Sequence, residues 1–333
     1  MKSLKSLSWH WGCKMRMADS SSGFIRQLQK GNSVGATLLL LVLCLVFSVF
    51  SENFTSAPNL INIVKQSTIL LLLALPMTLI ILTEGIDLSM GALLTLANVV
   101  LAVLAIKFGA LWPAFFMVLI MCAIFGWMNG MIVSKLHIPP FVATLGTLGI
   151  AQGAALLVTD GQSVVGIPQE ILFYYSGEWM GMAMPFWIAI VACVVFYILL
   201  THTPWGSHVI ALGGNREALT LAGIKADWVL VSVYLLSGVM CAIAAVLLTA
   251  RISSGHPTAA LGMEFDAIAA VALGGTSFEK GKGWIWGTVI GVLAVGVLRN
   301  GLNLMGVPSA VQVAAIGILV ILALMVDGLR DKK

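Results

Sequence analysis

Charge is what this 333-residue chain has least of: 10% of its residues are charged, against 59% hydrophobic. An ordinary globular domain is about 25% charged and about 45–50% apolar. A water-soluble fold of this length would lack the polar surface to cover its core. Strictly alternating polarity is missing as well, which removes the transmembrane β-barrel. Cysteine is scarce, with five residues at 13, 44, 122, 193 and 241 and no close pair. That excludes a disulfide framework and zinc-type spacing, and leaves free thiols in apolar runs. The histidines at 10, 137, 202, 208 and 256 have no metal spacing and no paired Ser or Asp, so an intramembrane enzyme lacks its catalytic set. A phosphate-cradling loop of the form G-x-x-x-x-G-K-S/T is absent too. Its nearest approach, Gly281-Lys282, has Thr276 for the first Gly and Gly283 for the hydroxyl residue. The net charge of +4 is small and dispersed, which gives nucleic acid no basic patch.

What is there is long apolar sequence, with a mean hydropathy of +1.02. Ten candidate spans fall near 34–50, 66–83, 88–106, 112–133, 141–158, 185–200, 228–250, 264–274, 284–298 and 308–326. A bilayer crossing takes roughly 17–25 residues, so the eighth is too short to cross alone and is expected to be extended, broken or re-entrant. Residues 1–33 are polar and basic, too long and charged for the n-region of a signal peptide, and read as a cytoplasmic tail. With that end inside, ten spans return the C-terminus inside. Fourteen of the 18 Lys and Arg then lie inside, leaving Lys65, Lys107, Arg251 and Arg299 outside or at outer helix ends. That is the bias expected of cytoplasmic loops. The chain divides into a tail (1–33), a membrane domain (34–327, halves about 34–158 and 185–327, with a cytoplasmic loop at 201–227) and a short cytoplasmic end (328–333).

The halves echo each other. "GWMNGMIVSKLHIPPFVATLGTLG" (126–149) and "GVLRNGLNLMGVPSAVQVAAIGIL" (296–319) each carry Asn-Gly, at Asn129-Gly130 and Asn300-Gly301, then Pro, then a glycine-bearing apolar helix. Upstream of each stands an acid pair, Glu84/Asp87 and Glu264/Asp266. The offset of five spans inverts one copy relative to the other, the plan of many alternating-access transporters. Asn-Gly and Pro also end helices in membrane proteins of every kind, which is the plainer reading. An acid at a helix start gains about 0.3–1 kcal/mol from the helix dipole, whereas a charge at the bilayer centre costs at least about 2.5–3.5 kcal/mol. Asp87 is therefore expected as an N-cap near the inner interface, with Gly85 allowing a tight turn; Glu264 and Asp266 are expected to act alike at the outer side. The alternative is that these acids contact a partner or line a path. Gly126-x-x-x-Gly130, Gly149-x-x-x-Gly153 and Gly287-x-x-x-Gly291 allow close helix approach.

The loop "PWGSHVIALGGNREALTLAGIKADW" (204–228) reads as carrying a short surface helix, with Asn215 as N-cap, Arg216 to Leu221 as body and Gly223 as the stop. A partner protein could grip such a helix, or it could simply lie in the interface.

"TEGIDLSMGA", "PPFVATLGTLGIAQG", "ALGGNREALTLAGI", "GMEFDAIAAVALGGTSFEKGKG" and "RNGLNLMGV" together resemble the permease subunit of ribose-type sugar ABC importers, in register from about Leu60 to Asp327. The resemblance implies an all-α polytopic membrane protein of the type II ABC importer kind, with about ten transmembrane helices in two inverted five-helix repeats. It implies a bacterial inner-membrane location with both termini cytoplasmic, and a second permease subunit, identical or paralogous. Cytoplasmic ATPase subunits would hold the ATP and Mg, so no cofactor is expected in this chain, and a periplasmic sugar-binding protein would deliver the cargo. The family's coupling helix falls on Gly213, Gly214, Asn215, Arg216, Glu217 and Ala218, through to Gly223. Two departures stand out: Glu84, where the family is small and uncharged, and Glu279-Lys280, where small residues are common. Competing classes are an ion-coupled secondary transporter, disfavoured by the shortage of mid-span charge, and an ABC permease for a non-sugar solute.

Overall fold

The computed structural model of the chain describes residues 33–277 and 281–330. All of the basic tail except Ser33, the Glu279-Lys280 departure and the last three residues lie outside the described residues. Thirteen α-helices are described, and every expected span falls on one. They are α1 (Ser33–Phe50), α2 (Ala57–Leu82), α3 (Met90–Phe108), α4 (Leu111–Lys135), α5 (Pro140–Thr159), the short α6 (Gln169–Ser176) and α7 (Met184–Thr201). On the loop between spans come α8 (Pro204–Gly214) and α9 (Arg216–Leu221), then α10 (Ala226–Ile252), α11 (Met263–Leu273), α12 (Ile285–Leu304) and α13 (Ser309–Arg330). The only strands described are two two-residue ladders: β1 (Val164–Val165) with β4 (Ser254–Gly255), and β2 (Glu178–Trp179) with β3 (Met182–Ala183). Seven helices, α2 to α5, α7, α10 and α12, are long and apolar enough to cross a membrane; α1 and α13 carry shorter apolar stretches.

The core lies along α2 and α10. Ser67 through Leu82 are buried without interruption, so α2 is apolar all round, as a central helix must be. Its neighbours approach closely where the sequence supplies glycine. A Cβ on Gly126 or Gly130 of α4 would collide with the backbone of α10 at Tyr234 or Val231, and Cβ atoms on Gly287 and Gly291 of α12 would strike α11 at Gly274 and Ala270. A Cβ on Gly149 or Gly153 of α5 would meet nothing within 4 Å among the described residues, so the third glycine pair marks no close helix approach there.

The eighth span is α11, 11 residues or about 16 Å long. The approach to it is irregular backbone that runs inside the protein. His256 N donates to Asn98 Oδ1 (2.8 Å) and Ala260 N to Thr95 Oγ1 (3.1 Å), both on α3. Asn98 Nδ2 in turn donates to Thr249 Oγ1 and to the Ser254 carbonyl. Non-helical backbone at membrane depth persists only where protein satisfies it in this way. The segment before α3 is handled alike. Leu88 N donates to Thr144 Oγ1 of α5 (3.1 Å), and that hydroxyl donates to the Ile86 carbonyl (3.3 Å).

Candidate functional site

The surface helix forms where the sequence places it. Asn215 Oδ1 accepts from Ala218 N at 2.9 Å, closing the N-cap of α9. At the other end Gly223 is left-handed (φ 82°), its N–H donating to the Thr220 carbonyl and that of Ile224 to the Leu219 carbonyl. That is a Schellman ending, which needs a residue free to take positive φ. Leu219 is buried beneath the helix, while Glu217, Ala218 and Leu221 face outward, Leu221 at 89% exposure. Gly213 is buried, and a Cβ there would strike the Leu82 carbonyl at the end of α2; a Cβ on Gly281 would lie 2.7 Å from the Ile210 carbonyl and 3.1 Å from Gly214 N. A Cβ on Gly214 itself would point into open space. The end of α8, which leads into the surface helix, is thus seated on the end of α2 and on the segment after α11.

Charge ties it down a second way. Arg216 Nη2 and Lys135 Nζ each lie 2.7 Å from a carboxylate oxygen of Asp227, joining α9 to the end of α4 and the start of α10. All three side chains are 30–46% exposed, so each pair contributes at most about 1 kcal/mol; the bridge orients the helix more than it stabilises the fold. Asp227 was not singled out from sequence, although it is an isolated acid in a cation-rich loop.

The first acid pair proves to be two unrelated residues. Glu84 follows the C-terminal end of α2, lining a cleft of about 280 Å³ together with His137, Leu212 and Arg216. It is left-handed (φ 61°), with Glu84 N donating to the Ile81 carbonyl and Gly85 N to the Ile80 carbonyl. This is another Schellman ending, with glutamate in the position glycine prefers. The turn expected of Gly85 is therefore made by Glu84. Gly85 provides room instead, since a Cβ there would sit 2.9 Å from the Tyr234 hydroxyl. Asp87 is buried and does not cap α3 at the interface: the N-cap is Ser89, with no side-chain capping bond. The Asp87 carboxylate accepts from Ser89 N (2.9 Å), Ser89 Oγ (2.6 Å) and Ser237 Oγ (3.1 Å). Ser237 stands eleven residues into α10, about 16 Å from its start, so Asp87 lies at depth. The loop that carries it folds back into the protein, where seryl donors replace water.

The second pair does sit in the first turn of its helix. Glu264 accepts from Gly262 N (3.1 Å), and its carboxylate occupies the space a Cβ on Gly91 would need, so α3 and α11 start side by side. Asp266 is held by Arg299 Nη2 of α12 at 2.5 Å. Arg299, one of the four cations assigned to the outer side, is the partner of that buried acid. The Asn-Gly positions also act within the protein. Asn129 Nδ2 donates to Ser89 Oγ (2.9 Å). Asn300 and Asn59 of α2 exchange bonds of 2.8 and 2.9 Å. Gly130 lets α4 approach α10, and Gly301 lies under the Phe47 ring of α1. Among the described residues no three His, Cys, Asp or Glu gather as a metal site.

Long apolar helices around buried irregular backbone, with a charged handle on one face, define a multi-pass membrane protein. The chain belongs to the family described as branched-chain amino acid transport system / permease component, which matches residues 59–324. The ribose import permease protein RbsC of Bacillus subtilis (strain 168) is 39% identical over 298 residues, 88% of this chain and 92% of that protein. Its namesake in Escherichia coli (strain K12) is 41% identical over 299 residues, 88% and 93% of the two chains. The L-arabinose transport system permease protein AraH of E. coli (strain K12) is 30% identical over 299 residues, 90% and 91%. No solved structure matches this chain.

Proposed function

We propose that this chain is the membrane-spanning subunit of an ATP-driven importer for a monosaccharide, in the inner membrane of a bacterium with both termini cytoplasmic. A periplasmic binding protein delivers the sugar. Separate ATPase subunits carry the ATP and Mg and dock on the coupling helix formed by Gly213, Gly214, Asn215, Arg216, Glu217, Ala218 and the Gly223 stop. The observation that carries this reading is α9 itself: a capped helix with Leu221 almost fully exposed, which follows α8 where Gly213 seats that helix on the backbone of α2. An unpartnered leucine on a fixed base suits a docking surface, and a push on α9 passes directly to α10 and, through α8, to α2 and the segment behind α11. The relatives named for ribose and arabinose support the cargo class.

The two halves act as inverted five-helix repeats. Helix pairings support this: α3 packs on α4, α5 and α10, and α11 packs on α12, α13 and α2, the same set moved by five spans. A second permease copy, identical or paralogous, covers α5, where a Cβ on Gly146, Gly149 or Gly153 would meet no neighbour among the described residues. The path between the copies is lined by small and apolar groups, so sugar selectivity resides chiefly in the binding protein.

The test reconstitutes the chain with its ATPase and binding protein in vesicles. Gly214→Trp, whose side chain would enter open space, and Glu217→Trp should each leave the protein folded while ATP turnover loses its link to uptake. Uptake unchanged in both variants would remove α9 from the coupling role. Accumulation by this chain with no nucleotide-binding companion would assign it to the ion-coupled class.

A further inference from the structure

Between α9 and the first turn of α10 lies a cavity of about 420 Å³ that shares Arg216 and Gly223 with the coupling segment but is otherwise lined by residues outside it. Its walls carry three cations, Lys135, Arg216 and Lys225, against one acid, Asp227. Asp227 already serves Lys135 and Arg216. Lys225 has no carboxylate within ion-pair distance among the described residues. The cavity therefore keeps two uncompensated positive charges. Trp228, 54% exposed, forms another part of the wall. An exposed indole in the first turn of a membrane-crossing helix belongs at headgroup level. On α9 the cavity uses Arg216 and Thr220, one turn apart, whereas Glu217 and Leu221 lie on the next face round. The cavity thus opens beside the docking surface and not beneath it.

We propose that this cavity binds the phosphodiester headgroup of an anionic phospholipid of the inner leaflet, with Lys225 and Arg216 on the phosphate and Trp228 alongside the glycerol. Basic pockets between helices on the cytoplasmic side attract such headgroups, and the volume fits a small-ligand site, about 300–1,000 Å³. A headgroup held there clamps α9 to α10, so the handle is stiff only in a membrane containing anionic lipid. The choice of leaflet rests on the cytoplasmic placement of α9 proposed above; the binding measurement does not.

Delipidated chain in detergent is titrated with short-chain phosphatidylglycerol, phosphatidylcholine or inorganic phosphate, and adducts are counted by native mass spectrometry. Phosphatidylglycerol should be retained at several-fold lower concentration than phosphatidylcholine. Lys225→Gln should erase that preference and Lys225→Arg keep it, with both lipid-free variants melting as the parent does. Equal retention of the two lipids by the unaltered chain would overturn the proposal. So would saturation of the cavity by inorganic phosphate with no lipid preference, which assigns a free anion. A preference that survives Lys225→Gln while ATPase co-purification falls would also overturn it, assigning the cavity to an acidic side chain of that partner.

Discussion

Helices α3 and α11 both begin inside the protein after a stretch of irregular backbone, yet they hold their acids by different means. Asp87, before α3, is surrounded by neutral donors, two from Ser89 and one from Ser237. Asp266, in the first turn of α11, is met by a full positive charge on Arg299. The difference follows from what can reach each place. Arg299 is 38% exposed and Asp266 only 6%, so a cation that keeps part of its contact with water reaches a buried carboxylate at lower desolvation cost. No cation has been brought to Asp87, where desolvating a second charge would cost several kcal/mol; hydroxyls on rigid helices hold it instead.

The largest expected effect is the loss of the junction between the two helix starts. Gly91→Leu would drive a side chain into Glu264 and the Ala260 carbonyl. Overpacking against backbone of this kind costs about 3 kcal/mol or more, and the expected readout is collapse of the monodisperse peak in size-exclusion chromatography. Next comes the ion pair. Arg299→Gln leaves a buried carboxylate unpaired and should lower stability by about 2 kcal/mol, below the roughly 3–5 kcal/mol of a fully buried pair because Arg299 is partly wet. Asp266→Asn should cost less, and the double variant should recover part of the loss in a thermal-unfolding cycle; purely additive losses would show that the pair is not coupled. A smaller change is expected at Asp87. Asp87→Asn keeps an acceptor for Ser89, and the Ser237 hydroxyl can reverse its role, so the cost should stay near 1 kcal/mol. A loss exceeding that of Arg299→Gln would break the comparison. The smallest effect belongs to the surface bridge, where Asp227→Asn should shift stability by about 0.5–1 kcal/mol, and less at high salt.

These contrasts mark the limit of reading the chain as a string. The ten apolar helices, seven of them long enough to cross a membrane, the shortness of the eighth and the capped helix from Asn215 to Gly223 were legible because each is a local matter of apolar run length, cap residue or left-handed glycine. The position of Asp87 was not. A helix start looks the same whether it lies at an interface or deep in the protein, and one of the three donors that allow burial stands 150 residues away on Ser237. The partnership of Asn300 with Asn59, 241 residues apart, was equally hidden. Glu84 seemed anomalous by its charge, but its surroundings are an open cleft and a left-handed turn, so its charge stays wet and its backbone carries the cost.

By itself the sequence determined that this protein lives in a membrane, that it has no motor motif and that it presents a helix on one face, because composition and short-range spacing decide those things. Only the tertiary structure decided which acid is buried, which asparagines cross-link helices and which glycines face a neighbour. Those outcomes depend on residues far apart in the chain meeting across packed helices, and apolar periodicity records that a helix has neighbours without naming them.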